Sequence, residues 1–150
     1  MLKIYIYKEH PDAVIPKIAY NGTSAAFDLT TTETVVIKPG ESKMVQNGLR
    51  IVIDEKDPYY MQVFPRSSAG IENELVAHPG VIDAGYTGNM GIFFHNFGKK
   101  PYIAYKGERM AQIVIHKKPA FEFVELNKDE FLELESRQSR GSKGLGSSGK

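Results

Sequence analysis

Apolar and polar positions alternate with period two along much of this chain, the pattern of strands that bury one face. Leu2, Ile4 and Ile6 alternate with Lys3, Tyr5 and Tyr7, and Phe121, Phe123 and Glu125 continue the style near the other end. Further β-rich segments run over 34–37, 43–53, 59–64, 90–94, 101–105 and 110–116. Turn pairs separate most of them: Pro39-Gly40, Asn47-Gly48, Asp57-Pro58, Phe97-Gly98 and Lys106-Gly107 supply the preset or positive φ that tight reversals need. Many short strands at this spacing predict an all-β sandwich, barrel or jelly roll. Helix is scarce. One short helix is expected from about Ser68 to Leu75, with Ile71 and Leu75 on a shared face, and a second candidate opens at Asn127. There Glu130 stands at the N3 position of a capping box, and Phe131 and Leu134 follow.

Composition narrows the picture. The 150 residues fit one domain, and a domain of this size buries roughly 68–70% of the surface its unfolded chain exposes, enough for a core without staples. The chain has no cysteine, so disulfides and thiolate metal sites are excluded, and a cytoplasmic or nuclear setting is expected. Lys plus Arg (19) nearly balances Asp plus Glu (18), which offers no global field to nucleic acid or an anionic membrane. The opening MLKIYIYKEH lacks the apolar core of a secretion signal, and no apolar run approaches a membrane span. From Ser136 the composition shifts to Gly, Ser and base with no acid. The expected organisation is therefore a β domain over 1–136 and a mobile Gly/Ser-rich arm over 137–150.

Four stretches depart from plain strand chemistry. In SAAFDLT (24–30), Asp28 reads on its own as a turn former. PRSSAG (65–70) gathers Arg66, Ser67, Ser68 and backbone donors ahead of the expected helix, as a phosphate grip or simply as an N-cap beside a solvent-facing arginine. GVIDAGYTG (80–88) reads as a hairpin whose strand ends at Asp83, with Tyr86 beyond the turn; an acid there is structural or orients a water over a bound ring. GERMAQIVI (107–115) sets Arg109 and Gln112 in an otherwise buried strand, where polar groups want partners. The ending Gly144, four residues, Gly149 and Lys150 formally opens a P-loop pattern. That match fails, because no Ser or Thr follows and no strand–loop–helix surrounds it.

Read together and in order, the four stretches and the terminal RGSKGLGSSG resemble the five motifs of the trimeric dUTPase family, over most of the chain from Ala25 to Gly149. The resemblance implies a jelly-roll (β-clip) fold with a flexible arm, assembled as a homotrimer with shared active sites. It implies hydrolysis of dUTP to dUMP and pyrophosphate, which limits uracil in DNA and supplies dUMP for dTMP synthesis. Asp83 would be the general base that deprotonates the attacking water. Arg66, Ser67 and Ser68 would grip the phosphates, with Ser67 at the bridging oxygen that becomes negative. Mg²⁺ would ride on the substrate phosphates, through waters held by Asp28 and Gln112. Arg109 would brace the site or the interface. Backbone groups of Gly80, Val81, Ile82 and Asp83, and near Gly91, would read the uracil edge, while Tyr86 would pack on the deoxyribose. In the arm, Arg140, Gly146, Ser147 and Ser148 would clamp phosphate.

Two departures stand out. Members of the resembled family usually carry an aromatic residue in the arm that stacks on uracil, and here that position is Leu145; Ala26 also replaces a glycine usual near the first motif. The nearest alternatives are a dCTP deaminase-like enzyme, which attacks the base instead of the α-phosphorus, and a nucleotide-binding regulatory protein of the same fold.

Overall fold

The computed structural model describes residues 1–139. The arm residues Arg140, Leu145, Gly146, Ser147 and Ser148 lie outside the described residues. The chain divides into two compact units, Met1–Pro119 and Ala120–Lys150.

Eleven strands, all paired antiparallel, build the first unit. They are β1 (Ile4–Lys8), β2 (Ala26–Thr30), β3 (Val35–Ile37), β4 (Ser42–Val45), β5 (Leu49–Ile53), β6 (Tyr59–Pro65), β7 (Leu75–Ala77), β8 (Val81–Ile82), β9 (Ile92–Asn96), β10 (Tyr102–Ala104) and β11 (Arg109–Lys117). They form a four-stranded sheet β2-β11-β6-β8, a three-stranded sheet β4-β9-β7, and the pairs β1-β5 and β3-β10. Most neighbours are distant in sequence, as in a jelly roll, so the fold is all-β as the alternation predicts.

Alternation sets the layers. On β5, Leu49, Ile51 and Ile53 are fully buried while Arg50 faces water; on β11, Ala111 and Ile113 point inward between half-buried Gln112 and Val114. These side chains join Leu29, Met61, Val63 and Phe94 in one apolar core. Burying each Leu, Ile or Phe is worth about 1.5–3 kcal/mol, which fixes register because a one-residue slip would turn the whole set to solvent. The predicted strand over 43–53 is two strands. Between them, buried Asn47 accepts from the Leu49 N–H at 3.0 Å, and Gly48 adopts φ +67°. A Cβ on Gly48 would lie 2.5 Å from that of His10.

Three local expectations are corrected. Ser68–Glu72 forms a single π-helical turn, and Leu75 belongs to β7, buried at 0% exposure. A deep hydrophobic site outweighs the weak helical period of that segment. Val81–Ile82 does not ladder with the chain that returns after Asp83: it pairs with β6, while the return meets β5 through an Arg50–Asn89 bridge. Phe121, Phe123 and Glu125 form no strand, since an alternating segment needs a partner edge before it becomes one. In the second unit, the helix Lys128–Ser136 starts where the capping box predicts: Asn127 Oδ1 accepts from the Asp129 and Glu130 N–H groups at 3.0 Å, and Glu130 answers the Asn127 N–H at 2.8 Å.

Candidate active site

Two cavities in the first unit divide the candidate residues between them. One, of about 600 Å³, is lined by Gly80–Asp83, Tyr86 and Gly91, and also by Val63, Ile92, Phe93 and Met44. Its wall is the segment between β8 and β9. β8 holds the segment to the sheet, the Val63 N–H donates to the Gly80 carbonyl (3.0 Å), and the Gly85 N–H donates to Ile53 O (2.8 Å). Gly85 turns the chain at φ +82°, and the Tyr86 N–H closes the turn on Asp83 O at 3.3 Å. Asp83 is therefore presented on a fixed turn and exposed to solvent. The Tyr86 hydroxyl donates to Asn89 O (3.3 Å), and the Asn89 side chain accepts from the Gly91 N–H (2.7 Å) while donating to Glu9 (3.0 Å). Glu9 also pairs with Arg50, so this wall is braced from the residue after β1 and from β5.

The other cavity, about 1010 Å³, is lined by Asp28, Arg66, Ser67, Ser68, Arg109 and Gln112. β2, β6 and β11 are adjacent strands, so side chains scattered along the sequence meet on one face. Gln112 lies directly opposite Asp28 on β2 and Phe64 on β6. The Asp28 carboxylate takes one arginine on each oxygen: Arg66 Nε at 3.1 Å and Arg109 Nη1 at 3.1 Å. Arg66 also reaches Arg109 O (3.4 Å), and Gln112 Nε2 donates to Pro65 O (3.1 Å). The N-cap reading of PRSSAG does not hold, because the Ser67 side chain makes no capping hydrogen bond and Arg66 is ion-paired. Asp28 is likewise an ion-pair centre inside a strand, not a turn former. The result is an open, polar basin in which the cations Lys17, Arg66 and Arg109 outnumber the acids Asp28 and Glu72 and the Ser67 and Ser68 hydroxyls join the lining, suited to a polyanion.

Other residues of these cavities were not singled out by any motif. Val14, Ile15 and Tyr20 edge the basin, and Tyr20 and Asn21 hold left-handed φ of 51° and 55°. His78, Met44 and Phe93 edge the first cavity. The positive φ values of Tyr20 and Asn21 carry no sequence signal beyond the following Gly22, and nothing in the sequence sets Met44 and Phe93 apart from other strand residues.

Among the described residues, no group of three or more Asp, Glu or His side chains is arranged to hold a metal ion. Both Asp28 oxygens face arginines. A carboxylate with both oxygens held by guanidinium groups offers no free oxygen as a direct ligand, so an Mg²⁺ at this site would have to ride on substrate phosphates and keep much of its water shell, which it gives up reluctantly. No helix of the described residues is long and apolar enough to cross a membrane.

The dUTPase family model matches residues 12–149. The deoxyuridine 5'-triphosphate nucleotidohydrolase of Clostridium tetani is 38% identical, covering 99% of this chain and 97% of that relative. Its counterpart from Helicobacter pylori strain J99 is 35% identical over 99% of this chain and 97% of its own length. Among solved structures, a mutant of the phage 80alpha dUTPase superimposes with a TM-score of 0.83 at 27% identity, covering 97% of this chain and 98% of that one. The Staphylococcus bacteriophage 80alpha dUTPase with dUPNHPP gives 0.78 at 28% identity, covering 99% of each chain. Matched along nearly its whole length in sequence and in fold, the chain belongs to the dUTPase family.

Proposed function

We propose that the protein hydrolyses dUTP to dUMP and pyrophosphate at a site shared between copies of a homotrimer. One observation carries the reading: the nucleoside-type cavity with Asp83 and Tyr86 and the cationic basin around Asp28 share no described lining residue. A nucleoside triphosphate needs both, so a complete site forms where the first cavity of one copy meets the basin of another. Exposed Phe121, Phe123 and Val124, at 71%, 94% and 67%, are apolar surface that such an assembly would cover.

Within that site Asp83 takes a proton from the water that attacks the α-phosphorus, and the bond to the α–β bridging oxygen breaks. Pyrophosphate leaves with the electron pair. Ser67 donates to that oxygen as its charge grows, where a fixed donor counts most. Arg66, held by Asp28, and Ser68 grip the chain of phosphates, and Gln112 positions water beside them. When bound, Mg²⁺ neutralises triphosphate charge and orients the leaving group. Gly80–Ile82 and Gly91 supply the backbone that reads uracil, Tyr86 excludes a 2'-hydroxyl, and Arg140 with Gly146–Ser148 closes over the phosphates. A site built to pair with one base edge rejects the wrong edge by up to about 10⁴–10⁵.

Product analysis with dUTP and each of the four canonical dNTPs in Mg²⁺ tests the proposal. The expected outcome is dUMP and pyrophosphate from dUTP alone; ammonia release from dCTP would assign deamination instead.

A further inference from the structure

The arm of this chain brings no ring to a substrate: residues 140–150 include Leu145 but no Phe, Tyr, Trp or His. The first cavity does contain a ring outside every motif, on its apolar side. Phe93 sits on β9 between buried Ile92 and Phe94, so alternation turns it to the open face, where it is 44% exposed. Its cross-strand partner on β4 is Met44, also 44% exposed, and both line the cavity. A Cβ on Gly91 would meet Met44 Sδ at 2.9 Å, so Gly91 and Met44 are already in close contact on this wall. β9 is the central strand of its sheet, and the His78 N–H donates to Phe93 O at 2.8 Å, which holds the Phe93 backbone from the β7 side. Two large apolar side chains left open on a rigid strand pair, beside a carboxylate and a tyrosine, form the apolar part of a ligand pocket.

We propose that Phe93 supplies the aromatic face on which the base of the nucleotide stacks, with Met44 extending that face. The inference rests on the dUTPase reading of the cavity and assigns a role to a residue that reading does not use. A ring on the central strand of a sheet is in place before any arm arrives, so stacking loses little freedom on binding. Base recognition is thereby moved from the arm into the body of the domain, and binding of the nucleoside part becomes independent of residues 140–150.

The protein has no tryptophan, so Phe93→Trp introduces a single indole reporter. Titration with dUMP, and with a non-hydrolysable dUTP analogue, should quench its emission, in the full chain and in a chain ending at Ser139 alike. Phe97→Trp, at an exposed position outside the cavity lining, should give an indole that does not respond. Phe93→Ala should raise KM for dUTP roughly 5- to 150-fold, the span that corresponds to one lost base stack, with kcat within about threefold of the parent and an unchanged far-UV spectrum. Two results overturn the proposal while leaving the enzyme assignment intact: dUTP turnover with an unresponsive indole at position 93, or a KM rise in His78→Ala with none in Phe93→Ala. Failure of the unaltered chain to hydrolyse dUTP would instead remove the reading on which the proposal rests.

Discussion

Asp28 and Gln112 stand directly opposite each other on β2 and β11, and the same Asp28 carboxylate carries Arg66 on one oxygen and Arg109 on the other. Strand pairing thus delivers three motifs to one point. Asp28→Asn keeps the shape but removes the charge that orients both guanidinium groups. Those groups are partly solvated, with side-chain exposures of 30% and 57%, so the loss of stability should stay below about 1 kcal/mol. If Arg66 grips the phosphates as proposed, its misplacement is costlier, and kcat/KM for dUTP should fall on the order of 10²-fold. A melting curve beside a pyrophosphate-release assay separates the two effects. Activity within a factor of two of the parent would show that Asp28 does not position Arg66 for substrate.

Asp83 directly follows β8 on a turn fixed by Gly85, with no ion pair to a cation among the described residues. In the proposed mechanism Asp83 acts on the attacking water in the chemical step, and its side chain does not hold dUTP. Asp83→Asn should therefore lower kcat by about 10²–10⁴ while leaving the affinity for a non-hydrolysable analogue close to that of the parent. Calorimetry of the variant reads the second quantity. Unchanged pyrophosphate release would take the base role away from Asp83.

How far these features could be read in advance depends on whether they are local. The capping box at Asn127 and Glu130 needs only neighbours three residues apart, and it stands where the sequence places it. Alternation identifies the buried faces of β5 and β11, yet it names a face and never a partner, so the pairing of β8 with β6 and not with the returning chain was invisible. Two- and three-residue strands such as β7 and β8 are too short to display a period at all. The candidate residues stand out in the sequence by type and order, whereas their division into two cavities is a fact of topology. Phe93 and Met44 look from sequence like any strand residues; only their shared exposure beside Asp83 sets them apart.

Glu9 links the base of the first cavity to the rest of the fold. Hydrogen bonds from Arg50 first, and then from Asn89, hold its carboxyl below the ordinary value of 4.5. A depressed folded-state value means that the contribution to stability is present above 4.5 and is lost as pH falls through the lower folded value. Glu9→Gln should accordingly melt below the parent at neutral pH, and the difference should close in acid as the parent's Glu9 protonates. Because Asn89 also anchors the Gly91 N–H, KM should rise in the variant more than kcat falls. A melting difference that is constant from neutral to strongly acidic pH would rule out this ion-paired brace.

The arm is tested by removing it. Residues 137–150 carry four cations and no acid, and Gly and Ser dominate the rest, so they cannot build a core of their own. A chain ending at Ser139 should fold, melt and assemble as the parent does, while kcat/KM for dUTP falls on the order of 10²-fold or more if the arm excludes water and grips phosphate as proposed. Full activity in the truncated chain would make the segment a linker. Leu145→Phe probes its other half: an added ring should lower KM by up to about 5-fold, the low end of what one stacked base is worth. The gain should be larger in a Phe93→Ala background than in the parent if the two side chains serve the same base, because a site that already owns one aromatic face gains less from a second. Equal gains in both backgrounds would mean that Leu145 and Phe93 act on different parts of the nucleotide, and no gain in either would place Leu145 away from the base.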